Sequence, residues 1–153
     1  LGKGTTRLAD LPSHPGHERR GKKPINAIGD RMPLPRACRD LGLLVAEYHT
    51  HCHRAFELRD DTVVRLFEKT DAFRRPERFE LFLLACEADI RGRAGKENDP
   101  VPYGDHFRRL LEAANAISVA HIRQAGFEGR AIGEELHQRR VNAVKQALRE
   151  IRA

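Results

Sequence analysis

Phe79-Glu80-Leu81-Phe82-Leu83-Leu84-Ala85-Cys86-Glu87-Ala88-Asp89-Ile90-Arg91-Gly92-Arg93 is the most apolar run in the sequence, and it carries a carboxylate near its end. At about 100° per residue, the Asp89 side chain falls roughly 20° from the direction of Phe82 and one turn beyond Ala85. The pattern predicts a helix over about 76–92, opened by Pro76, with an acid on its buried stripe. An ionised carboxylate taken out of water alone costs several kcal/mol, so it needs a cation, a metal or several donors. Arg91 or Arg93 could supply an ordinary ion pair, or the acid could reach water at the helix end. Histidines upstream offer a third solution.

Outward from this run the chain reads as helices separated by turn chemistry. Residues 1–8 look like the tail of a helix, residues 9–16 like a turn, and a helix over 16–32 is weakened by Gly21, Pro24 and Gly29. Met32-Pro33-Leu34-Pro35 is an extended linker. A helix over about 35–54 then places Leu41, Leu44, Val45, Tyr48 and Cys52 on one stripe. A short helix follows over Val63, Val64 and Phe67. Arg93 to Gly104 is the longest expected loop, placed directly after Asp89 where a lid or substrate loop would be useful. A single helix is expected over about 104–125, a turn at Gly126-Phe127-Glu128-Gly129, and a last helix over 130–152 with a cationic exterior at Arg139, Arg140, Lys145 and Arg152. No alternating strand is found, so the expected class is all-α, a bundle of about six helices.

At 153 residues the chain suits one domain with a real core. It begins Leu1-Gly2-Lys3-Gly4, which reads as an interior start. No run approaches the roughly 18–20 apolar residues that span a bilayer, so no membrane partner is expected. Cys38, Cys52 and Cys86 are odd in number and lack paired spacing, pointing to reduced thiols and a cytoplasmic location. The net charge of +6 is polarised: residues 1–36 carry +5, residues 130–153 carry +3, and the middle is slightly acidic. Basic ends favour a polyanion, nucleic acid first among them, although a solvated surface has the same composition.

Five of the eight histidines fall within the first 53 residues. His14 and His17 are three apart in or after a turn. His49 and His53 lie one turn apart on one helix face, with His51 pointing roughly opposite. Imidazoles with a carboxylate such as Asp89 form a mixed N/O set that suits a hydrolytic divalent metal. Without a Cys-x-x-Cys pair, a structural zinc site is not indicated. A single histidine is more often simply solvated or hydrogen-bonded; the candidate metal set is His14, His17, His49 and Asp89 taken together.

Leu1-Gly2-Lys3-Gly4, Pro12-Ser13-His14-Pro15-Gly16-His17, Leu44-Val45-Ala46-Glu47-Tyr48-His49, Glu87-Ala88-Asp89-Ile90-Arg91-Gly92-Arg93 and Gly126-Phe127-x-Gly129-x-x-Ile132 occur in that order. In sequence and spacing they resemble the C-terminal HD domain of bacterial CCA-adding tRNA nucleotidyltransferases. The resemblance implies a truncated HD phosphohydrolase-like domain over 1–125 and a C-terminal basic helix over 126–153 packed on it. It implies a divalent metal, with magnesium, manganese or nickel all suitable, held by His17, His49 and Asp89 with His14 as a neighbour. Lys3 would meet a substrate phosphate as a catalytic residue, and Arg91 and Arg93 would hold phosphate oxygens. The implied activities are 2′,3′-cyclic phosphodiesterase, 2′-nucleotidase and phosphatase, with tRNA as partner and CTP and ATP as substrates of an N-terminal polymerase domain. A homodimer of the full enzyme is also compatible with it.

Two departures qualify the resemblance. Its His-Asp doublet would lie just before Leu1, and no Gly-Ser or paired-Asp polymerase signature occurs. The chain alone is therefore expected to have an incomplete metal site and to be inactive. The alternative is a non-catalytic helical tRNA-binding lobe whose basic ends follow the RNA backbone.

Overall fold

The computed structural model describes residues 2–152. Among these the fold is all-α, as the sequence predicts. Two 3-10 turns, Gly2–Thr5 and Leu8–Asp10, precede α1 (His17–Arg20), α2 (Lys22–Arg31) and α3 (Arg36–His53). A third 3-10 turn, Ala55–Glu57, leads to α4 (Asp60–Lys69), α5 (Pro76–Arg91), α6 (Tyr103–Asn115), α7 (Val119–Gln124) and α8 (Arg130–Arg152). Six of these helices have ten residues or more, and α1 and α7 are short. Two expectations differ from what is observed. The chain opens on a 3-10 turn rather than a helix tail, and the first residue of that reading, Leu1, lies outside the described residues. The single helix over 104–125 is interrupted, because Ser118 takes an extended conformation (φ −85°, ψ 126°) and α7 restarts from it.

The chain forms two compact units. One gathers the described residues up to Arg54 with Glu80–Pro100; the other gathers Ala55–Phe79 with Val101 onward. In the first, α1 and α2 pack on α3, and α1 also packs on the opening 3-10 turn. The α5 periodicity is seen directly: Phe79, Phe82, Leu83 and Cys86, at i, i+3, i+4 and i+7, are all buried, while Leu81 and Leu84 are exposed.

In the second unit α8 packs against α4, α6 and α7. Its core is built on Phe67, which meets Phe79 and Phe107 edge-to-face at ring separations of 5.4 and 6.2 Å. Full burial of each such side chain contributes about 1.5–3 kcal/mol, and the edge-to-face arrangement satisfies the ring quadrupoles. No helix among the described residues is long and apolar enough to cross a membrane.

Candidate active site

The first unit holds a cavity of about 430 Å³ whose lining includes Lys3, His17, His49 and Asp89. Local backbone chemistry sets its geometry. Gly16 sits at φ +68° immediately before α1, so the chain turns sharply and starts the helix on His17. Gly2 is required by close approach: a Cβ built on it would lie 2.0 Å from the His17 carbonyl oxygen. The opening turn is thus seated directly on the backbone that presents His17.

His17 Nδ1 lies 2.7 Å from the His14 carbonyl oxygen. His49 Nδ1 lies 3.0 Å from the Val45 carbonyl and 3.2 Å from that of Ala46, on its own helix. Carbonyls only accept, so each ring carries its proton on Nδ1 and presents a lone pair at Nε2. Those two Nε2 atoms face each other at 3.3 Å. Two lone pairs so placed repel unless a proton or a cation sits between them. Metal–nitrogen bonds of about 2.0–2.1 Å place two imidazole nitrogens on a shared ion about 3.0–3.4 Å apart. The pair therefore fits a divalent cation, and the backbone carbonyls hold the two Nδ1 atoms as outer partners do in metal sites.

Asp89 lines the same cavity from α5. Contrary to the buried-stripe expectation, its side chain is 46% exposed. The reason is local: near the end of α5 it reaches water, and Arg93, one turn on, takes its Oδ2 at 3.0 Å. His53 Nε2 is 3.3 Å from the same oxygen. Burial works to raise the Asp89 pKa, but the Arg93 hydrogen bond and charge, helped by His49 and His53, outweigh it and hold the carboxyl below its ordinary value. Burial and the nearby charge of Arg93 push the His53 pKa down, and the Asp89 carboxylate works against them.

Of the predicted residues, the structure brings His17 and His49 into contact and puts Asp89 and Lys3 on the same cavity wall. The His14 ring turns to Thr6, with Nδ1 2.9 Å from Oγ1, and its carbonyl rather than its ring serves His17. Arg91 pairs with Glu87 at 2.9 Å and Arg93 with Asp89. Among the described residues, no three His, Cys, Asp or Glu side chains converge closely enough to hold a metal by themselves. The residue missed in the sequence is His53, whose spacing from His49 marked a shared face but gave no sign of its carboxylate partner.

No family model matches the chain. No solved structure matches it either. Among curated proteins it is 54% identical over 146 residues to the multifunctional CCA protein of Thioalkalivibrio sulfidiphilus, covering 95% of this chain and 36% of that one. It is 47% identical over 146 residues to the multifunctional CCA protein of Hahella chejuensis, covering 95% and 35%. Over 149 residues it is 47% identical to that of Halorhodospira halophila, covering 97% and 36%. The chain spans about a third of the length of the curated relatives it matches. It is thus a homologue of the multifunctional CCA proteins over a segment of about 36% of their length.

Proposed function

We propose that this chain is the C-terminal HD phosphohydrolase lobe of a CCA-adding tRNA nucleotidyltransferase, with metal-dependent 2′,3′-cyclic phosphodiesterase, 2′-nucleotidase and phosphatase activity in the complete enzyme. The observation that carries this is the pair of facing ring nitrogens of His17 and His49. The homology to proteins named multifunctional CCA protein supports it. Also within the proposal are tRNA as partner, CTP and ATP as substrates of the polymerase part, a cytoplasmic location and a homodimer of the full enzyme.

In this reading His17 and His49 hold a divalent ion through Nε2, and Asp89 supplies the negative charge beside them. Such an ion polarises a phosphoryl oxygen and lowers the pKa of a bound water. Lys3, on the cavity wall, meets a phosphate oxygen of the substrate. Arg93 keeps Asp89 ionised and oriented. Arg91 and Arg93 hold phosphate oxygens, Arg91 by leaving Glu87 and Arg93 through the N–H groups that its bond to Asp89 leaves over.

The full-length protein should hydrolyse 2′,3′-cyclic AMP when magnesium, manganese or nickel is added. His49→Ala should lower turnover by at least about 100-fold, beyond the 10- to 100-fold typical of losing an outer partner. Turnover unchanged in that variant would remove the histidine pair from catalysis. A second reading, a non-catalytic helical tRNA-binding lobe, is favoured by one observation: the positive charge is concentrated at the two ends of the chain, +5 over residues 1–36 and +3 over residues 130–153.

A further inference from the structure

His53 ends α3, one turn after His49, and the hydrolase reading gives it no role. Its ring lies between two residues that the reading does use. On one side it meets the His49 ring edge-to-face, with centroids 5.4 Å apart and planes at 83°. On the other, its Nε2 is 3.3 Å from Oδ2 of Asp89, which belongs to a different helix, α5. Arg93 Nη2 is 3.0 Å from the same oxygen and 3.5 Å from His53 Nε2.

A carboxylate only accepts, so the contact with Asp89 is favourable when His53 carries its proton on Nε2. Nε2 then has no lone pair for Arg93, and the 3.5 Å between the two nitrogens is the spacing of two donors converging on one acceptor. His53 is thereby set to the tautomer opposite to that of His17 and His49, whose carbonyl partners place the proton on Nδ1. Partners thus divide the three histidines: two present a lone pair, and one presents an N–H. Both donors to Asp89 fall on Oδ2, and among the described residues Oδ1 receives none. A histidine in a last turn is favourable at any helix C-terminus, where the partial negative charge attracts a cation. That effect requires no contact with a second helix and sets no tautomer.

We propose that His53 is a positioning residue: together with Arg93 it pins Oδ2 of Asp89 and leaves Oδ1 as the oxygen offered to the cation of His17 and His49. The inference rests on the hydrolase reading for that cation, whereas the tautomer of His53 does not depend on it. Arg93 sits one turn from Asp89 on the same stretch of chain, so its bond fixes the carboxylate only relative to α5. The N–H of His53 comes from α3, the helix that carries His49, and so fixes the carboxylate relative to the histidine pair. Outer hydrogen bonds of this kind orient the groups that meet a metal.

Imidazole nitrogen NMR of the metal-free chain at pH 8, above the ordinary imidazole value of about 6.5, reads the tautomer. His53 should show its proton on Nε2, and His17 and His49 theirs on Nδ1. A proton on Nδ1 of His53 would overturn the proposal. Zinc affinity measured by calorimetry then reads the role. His53→Ala should bind zinc about 10-fold more weakly or worse, in the 10- to 100-fold range for loss of an outer partner. His53→Gln, whose side-chain amide can donate in place of the ring N–H, should recover most of that loss. His53 is the last residue of its helix, and an unchanged circular dichroism spectrum would show that both variants fold. Parental affinity in His53→Ala, or a His53→Gln variant that binds no better than His53→Ala, would overturn the role of His53 while leaving the histidine pair intact. A parent chain that takes up no zinc would remove the hydrolase reading, and this inference with it.

Discussion

A carbonyl oxygen can only accept, so the His14, Val45 and Ala46 carbonyls oblige His17 and His49 to protonate at Nδ1 and turn two bare Nε2 atoms toward each other. Sequence could single out these histidines as candidates, since their types and spacing suggest a ligand set. It could not reveal that His14 acts through its carbonyl, because that depends on the Gly16 turn. Nor could it place Asp89, whose position on the helical wheel pointed inward while the guanidinium at i+4 holds it at the surface. Gly2 gives this scale its own test. In Gly2→Ala the new methyl meets the His17 carbonyl and the turn must shift, costing about 1–3 kcal/mol as overpacking does. Divalent-metal affinity measured by calorimetry should fall about 10-fold or more. A variant that keeps parental affinity would show that the opening turn does not position His17.

Among the elements, α3, α5 and α8 were legible because each carries an apolar stripe at helical spacing. The break between α6 and α7 was not: Ala116-Ile117-Ser118 contains neither proline nor glycine, and only the extended Ser118 backbone marks it. Equally invisible in sequence is the link between α4 and α8, where His137 Nδ1 lies 2.8 Å from Glu68 Oε1 and Nε2 lies 3.0 Å from Asp61 Oδ1. With a carboxylate on each nitrogen, the ring is bound as imidazolium. Burial opposes this, but the hydrogen bonds from Glu68 and Asp61 win and raise its pKa. Below the unfolded value of about 6.5 the clasp contributes in full, and its contribution is lost as pH rises through the higher folded value. Because Asp61 and Glu68 are more than a third exposed, its contribution is under about 1 kcal/mol. The thermal midpoint of the parent should therefore decline relative to that of His137→Gln between pH 6 and 8. Parallel profiles for the two proteins would contradict a charged His137.

For the whole molecule, helical periodicity and the absence of alternating strands were enough to give the all-α class. The division into two units was not legible, because the α5 segment joins them without a linker-like change in composition. Polarised charge suggested a polyanionic partner but could not separate the paired arginines of α8 from the unpaired ones. That distinction depends on which carboxylates lie one turn away.

The proposed hydrolase site stands or falls with the two ring nitrogens of the first unit holding a cation between them. Imidazole nitrogen NMR during a zinc titration of the chain measures this directly. His17 and His49 Nε2 should shift together on addition of one equivalent while both Nδ1 atoms remain protonated. Nε2 resonances that stay in place at saturating zinc, or that move for only one of the two rings, would contradict it.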